Sequence, residues 1–206
     1  MRSQSVNQTK RWCVLLLLLA AALPALAQDP RSVVLRPPKG VKVAIVVFED
    51  LECPDCGRAA PLLLEASRTY KIPQVRYDFP LNIHPWARTA AIFAKFFDTK
   101  SKPMGDDFRD YIFHNQPGIT KDNLRQWAEK FAAAHKVALP YAVDPTGELE
   151  KKVQHDIDVG MSLGVHQTPT IYVVSDARTG TPFAEVVDRS QLFQMIDEMK
   201  RQAGVK

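Results

Sequence analysis

The sequence predicts an α/β fold, and three features of its 206 residues carry that prediction. An almost continuously apolar, β-branched run leads into one helix and a second strand, the middle of the chain reads as helix after helix, and the end returns to strand, strand and helix. Such an order suits helices layered on a sheet. With 46% hydrophobic, 24% charged and 9% aromatic residues, the chain can bury a full core, which excludes disorder, collagen and a disulfide-dense miniprotein. Its length suits one domain, or one domain with an insertion.

Residues 1–27 read as a secretory signal peptide. The basic pair Lys10-Arg11 precedes an apolar stretch from Val14 to Leu26, and small residues at Ala25 and Ala27 suit cleavage near Ala27. That stretch is 13 residues long and contains Pro24, against the roughly 20 residues a membrane span needs. Cys13 would leave with the leader. A periplasmic or secreted protein is therefore expected. The formal net charge of +4 loses the three cations Arg2, Lys10 and Arg11 with the leader, leaving +1, so no electrostatic footprint for nucleic acid remains.

After the Pro-rich entry Arg36 to Gly40, the run Val41 to Phe48 reads as a buried strand. From Pro54 to Tyr70 a helix is expected, because proline suits the first helical position and Leu62, Leu63 and Ala66 continue an apolar face. Gln74 to Phe79 alternates polar and apolar between Pro73 and Pro80, which gives a second strand. Residues 86–97, 106–114, 121–137 and 147–163 read as helices, with Pro103, Gly105, Pro117, Gly118, Pro140 and Pro145 in their spacers and Gly164 as the last stop. The Trp86, Phe93, Phe96 and Phe97 stripe fits helical core, and the charged run Glu148 to Lys152 an exposed helix face. Short strands at 170–174 and 184–187, across a turn holding Thr179-Gly180, and an amphipathic helix at 191–201 close the chain.

Cys53-Pro54-Asp55-Cys56 carries the chemistry. A thiol at a helix N-terminus faces unpaired N–H groups and the positive end of the helix dipole, so its thiolate is stabilised. Cys53 is thus expected to be the exposed attacking thiol, and Cys56, one turn in, to resolve a mixed disulfide. A purely structural staple fits poorly, since closing so short a loop constrains the unfolded chain by about 2 kcal/mol, against nearly 5 for a 100-residue loop. Half a metal site is the other reading, yet His84, His114, His135, His155 and His166 contain no pair at ligand spacing.

Phe48-Glu49-Asp50-Leu51-Glu52-Cys53-Pro54-Asp55-Cys56 resembles the active-site segment of DsbA-like thiol-disulfide oxidoreductases of the thioredoxin superfamily. Gly164-Val165-His166-Gln167-Thr168-Pro169-Thr170 resembles that family's cis-proline loop, and Asp78-Phe79-Pro80-Leu81 with His84-Pro85 the end of its second strand. The resemblance implies a thioredoxin fold with an inserted helical domain: residues 28–84 and 165–206 make the two parts of the thioredoxin domain and 85–164 the insertion. It also implies that Pro169 stacks on the cysteine pair in cis, leaving the Thr168 backbone free to pair with an extended substrate. Protein thiols and disulfides outside the cytoplasm are the implied partners, with a DsbB-like or vitamin K epoxide reductase-like membrane protein to reoxidise an oxidase. The redox pair needs no organic cofactor or metal, and a monomer is expected.

Two departures bear on tuning. Glu52 rather than Trp precedes Cys53, which argues against the reductases of cytochrome maturation, and Pro54-Asp55 contains no His. Glu49, Asp50, Glu52 and Asp55 place four carboxylates within seven residues, and anions near Cys53 oppose its thiolate unless they point to water. A mild oxidant is the expectation. His166 reads either as a loop residue influencing the sulfur pair or as a solvated imidazole. The rival from another class is a periplasmic Cu(I) carrier using Cys53, Cys56 and His166.

Overall fold

The computed structural model describes residues 31–177 and 180–205. The expected signal peptide, with Cys13 and the cleavage position near Ala27, lies outside the described residues, as does Thr179 of the expected turn.

Four strands and six helices follow a single helical turn at Arg31–Val34 that the sequence pattern did not signal. They are β1 (Val43–Glu49), α1 (Pro54–Tyr70), β2 (Gln74–Asp78), α2 (Ala87–Asp98), α3 (Lys102–Asn115), α4 (Leu124–Ala134), α5 (Glu148–Ser162), β3 (Thr170–Ser175), β4 (Phe183–Glu185) and α6 (Leu192–Gln202). The sheet order is β2-β1-β3-β4, with β1 parallel to β2 and antiparallel to β3. Every residue of β1 is buried, because the strand is central and both faces are covered. Val43, Ile45 and Val47 pack with Leu63 and Ala66 of α1 and Leu192 and Ile196 of α6. On the other face Ala44, Val46 and Phe48 meet Phe79, Tyr172 and Val174, with Ile157 and Val159 of α5 against them. This two-sided burial is what a near-continuous apolar run encodes.

Helix α5 comes very close to that second face. A Cβ on Gly160 would sit 2.6 Å from the Phe79 ring and 3.1 Å from the Phe48 ring. The helix ends where expected, at Gly164 with φ +79°, and the N–H of Val165 returns to the Gly160 carbonyl at 2.9 Å. Helix α3 begins a turn earlier than expected: Ser101 caps it by accepting the Met104 N–H at 3.2 Å, and Pro103 lies in its first turn, where no N–H is required. Helix α4 is shorter than expected, because Thr120 and Asn123 hydrogen-bond to each other as a turn before Leu124.

The helical segments share an aromatic core that also takes in Leu51, Cys53 and Cys56 at the head of α1. Phe97, Phe108 and Phe131 are in mutual contact at 4.6–5.2 Å between ring centroids, and Trp86, Phe93 and Phe96 belong to the same buried cluster, as the stripe suggested. Buried charge joins this block to the sheet. Arg109, fully buried on α3, reaches Asp78 at 2.6 and 2.9 Å and Asp98 at 2.9 and 3.0 Å. Lys95 reaches Asp78 at 2.9 Å and Asp156 at 2.5 Å, and Arg76 reaches Glu49 at 2.6 Å and Asp110 at 2.7 Å. Buried ions of this kind specify which helix faces which strand more than they stabilise. Among the described residues, no helix is long and apolar enough to cross a membrane.

Candidate active site

Cys53 is the N-cap of α1, in extended conformation, and Pro54 occupies the first helical position. The residues singled out in the sequence come together here: the Cys53 sulfur lies 3.4 Å from the Thr168 carbonyl oxygen, and the Thr168–Pro169 peptide bond is cis. Both cysteines are free thiols. The expectation of an exposed Cys53 needs correcting, since Cys53 is 6% exposed and Cys56 2%. Packing with Leu51, Trp86 and Phe93 covers them both.

What separates the two sulfurs is their electrostatic setting. The Cys53 thiol is lowered to about 5, chiefly by hydrogen bonding from the Cys56 thiol, with the Cys56 and Asp55 N–H groups and the Thr168 hydroxyl adding to it against the opposing effect of burial. Thr168 Oγ1 is buried and has no other hydrogen-bond partner, so it is free to serve the thiolate. Cys56 is pushed in the opposite direction, first by burial and then by its bond to Cys53. The arrangement holds one anionic sulfur and one neutral sulfur in contact.

The acidic cluster does not behave as four bare anions. Glu49 is buried against Arg76. Asp50 is buried and its carboxylate accepts four contacts: Glu52 N–H at 2.7 Å and Cys53 N–H at 3.2 Å on one oxygen, Leu81 N–H at 2.7 Å and His84 Nδ1 at 2.7 Å on the other. Its own N–H donates to the Cys56 sulfur at 3.4 Å. Glu52 accepts the Trp86 and Ala87 N–H groups at 2.6 and 2.9 Å, at the start of α2. Asp55 pairs with Arg189 at 2.8 Å and Arg58 at 3.2 Å. Each carboxylate is engaged with a donor, and the Cys53 thiol is acidic despite them.

Three residues of the site were given no role there by the sequence pattern. His84 is held by Asp50, which raises its pKa together with the nearby Cys53 and Glu52 charges while burial opposes the rise. Gln116 donates to the carbonyls of Leu51 and Cys53 at 2.8 and 3.0 Å, an approach that Gly57 permits, because a Cβ there would stand 2.7 Å from its side-chain oxygen. Arg189 arrives from the turn after β4. The one available signal was topological: β1 and β2 run parallel, so the segments that follow them, with Asp50 and His84, emerge at the same sheet end. His166 is an exposed loop residue, in keeping with the solvated reading. Among the described residues, no group of three or more His, Cys, Asp or Glu converges as metal ligands.

A family model described as Thioredoxin matches residues 39–198. Among curated proteins, the Na(+)/H(+) antiporter NhaA 3 of Salinispora tropica is 28% identical over 149 residues, covering 70% of this chain and 22% of that protein. The chain therefore spans about a fifth of the length of the curated relatives it matches. Among solved structures, the thiol-disulfide exchange protein α-DsbA2 from Wolbachia pipientis shares the fold with a TM-score of 0.63 at 16% identity, covering 80% of this chain and 85% of that one. The catalytic domain of Proteus mirabilis ScsC does so with a TM-score of 0.59 at 19% identity, covering 80% and 86%. The likeness first visible in a cysteine motif and a proline loop thus extends through most of the fold, and the chain belongs to the thioredoxin family.

Proposed function

We propose that this chain is a protein thiol-disulfide oxidoreductase acting on extracytoplasmic substrates, with Cys53 as the attacking and Cys56 as the resolving thiol. The observation that carries the reading is the opposed setting of the two sulfurs: Cys53 is acidic at the head of α1 and touches Thr168, while Cys56 is kept neutral by burial. In the reducing direction the Cys53 thiolate attacks a substrate disulfide, an S–S bond forms to Cys53, and one substrate thiolate leaves. Cys56 then loses its proton and attacks Cys53, the second substrate thiolate departs, and two electrons have moved from the pair to the substrate. Oxidation of a substrate dithiol is the same path reversed, with Cys56 as leaving group.

Thr168 and Pro169 form the wall on which an extended substrate segment would lie, and Pro54, Asp55 and Glu52 set the shape and charge of the motif. The cysteine pair needs no organic cofactor or metal. The leader-like residues 1–27 support a periplasmic or secreted location, and the unbroken series of helices α2 to α5 between β2 and β3 supports reading 85–164 as a helical insertion between the two parts of a thioredoxin domain. A monomer served by a DsbB-like or vitamin K epoxide reductase-like membrane protein completes the proposal for an oxidase.

The test is exchange itself. The oxidised protein should introduce disulfides into a reduced, unfolded protein, Cys56→Ser should accumulate mixed disulfides through Cys53, and Cys53→Ser should do neither. A wild-type pair that exchanges with neither glutathione nor a protein thiol, or that alkylates faster at Cys56, would overturn the assignment.

A further inference from the structure

We propose that Arg189 is a positioning residue for the redox pair: it neutralises Asp55 inside the cysteine motif and holds the Asp55 peptide against Cys53. This rests on the function proposed above and adds to the motif a residue that lies 134 positions away from it in the chain.

The guanidinium makes two contacts with one residue. Nη2 lies 2.8 Å from the Asp55 carboxylate, and Nη1 donates to the Asp55 backbone carbonyl at 3.3 Å. A grip on side chain and backbone together fixes the orientation of that part of the first turn of α1, which a contact to the carboxylate alone would not do. The orientation matters because that carbonyl shares its planar peptide with the Cys56 N–H, which together with the Asp55 N–H favours the Cys53 thiolate. Arg189 is itself delivered from a braced turn. Asp188 accepts the Ser190 N–H at 2.9 Å, the Val186 N–H bonds the Ile171 carbonyl at 2.8 Å, and the following Leu192 is fully buried.

Asp55 also meets Arg58, but that partner is an exposed neighbour on the same helix, a class of pair that contributes little. Arg189 is the first cause of the low Asp55 pKa. The remaining charged groups around the motif are already committed: Asp50 to His84 and three N–H groups, Glu52 to the start of α2, Glu49 to Arg76. Glu185 lines the cleft that Asp55, Pro169 and Arg189 share. An uncompensated Asp55 charge next to the thiolate would raise the Cys53 pKa, and a guanidinium at its side cancels the effect.

A double-mutant cycle tests this with readouts that need no protein substrate: the Cys53 pKa from thiolate absorbance, and the equilibrium of the pair with glutathione. Arg189→Ala should raise the Cys53 pKa by about half a unit to one unit and shift the glutathione equilibrium about three- to tenfold toward the protein disulfide. In an Asp55→Asn background the same change should have less than half that effect, and Arg189→Lys should fall between wild type and Arg189→Ala. Arg189→Gln, which keeps a donor for the Asp55 carbonyl, covers the case in which the alanine variant does not fold, and should move the pKa in the same direction. Arg189 variants with an unchanged pKa, or a shift that persists in full without Asp55, would refute the inference while wild-type exchange leaves the proposed function standing. A wild-type pair inert toward glutathione would refute the function itself.

Discussion

The carbonyl oxygen of Thr168 lies 3.4 Å from the sulfur of Cys53, a contact made across 115 positions of chain. It ties the loop before β3 to the head of α1, and it places the Thr168 hydroxyl, otherwise unpartnered, beside a sulfur that is anionic at neutral pH.

That sulfur should make the reduced protein's stability depend on pH. The Cys53 thiol is lowered from 9.0 to about 5 in the fold, so its contribution is complete above about pH 9 and is lost as pH falls through about 5. Cys56, raised by burial, matters only above that window. In urea titrations, the stability of the reduced wild type relative to Cys53→Ser should climb steadily between pH 5 and 9. A difference that stays flat across that range would contradict the low thiol pKa.

His84 should titrate above its ordinary 6.5, because Asp50 holds its protonated form. A histidine raised by folding stabilises below the unfolded pKa, and the contribution disappears as pH rises through the folded value. The slope therefore runs opposite to that of Cys53. In NMR titrations the His84 ring should show a midpoint above 6.5 that drops in Asp50→Asn. Identical midpoints in the two proteins would mean that the 2.7 Å contact carries no charge.

Arg109→Ala should cost about 3–5 kcal/mol of stability, since it strands carboxylates in the interior rather than merely removing an ion pair. Asp78 is almost fully buried and depends on Arg109 and Lys95 to stay ionised. Chemical denaturation followed by circular dichroism measures the loss. A cost below about 1 kcal/mol would show that Lys95 alone can hold Asp78.

The elements near the motif were legible because their signals are local. Helix α1 runs from Pro54 to Tyr70 as its first-turn proline and apolar face indicate, and β1 differs from its apolar run only at the ends. Helix α3 was misjudged at its start because Pro103 reads as a break unless Ser101 is recognised as its cap. The cysteine pair and the Thr168–Pro169 bond could be named because each lies inside a short motif. Asp50 with His84, Gln116 with the Cys53 loop and Arg189 with Asp55 are pairings 34, 63 and 134 positions apart, and nothing in a linear pattern records which distant side chains a fold brings into contact. The same gap explains the acidic cluster: four carboxylates are visible in the sequence, and the donors that absorb their charge are not.

Cys53 and Cys56 sit in the same buried cluster as Trp86, Phe93, Phe113 and Leu124. Joining or separating these sulfurs is therefore also a change of core packing, and folding and redox chemistry form one thermodynamic cycle. The gap in unfolding free energy between the oxidised and reduced protein must equal the gap between the potential of the folded pair and that of the same pair in an unfolded chain, at about 30 mV per 1.4 kcal/mol. Calorimetry of the two forms consequently measures how far the fold moves the driving force for exchange from that of an unfolded pair, and a packing variant at Phe93 can change that force without touching sulfur.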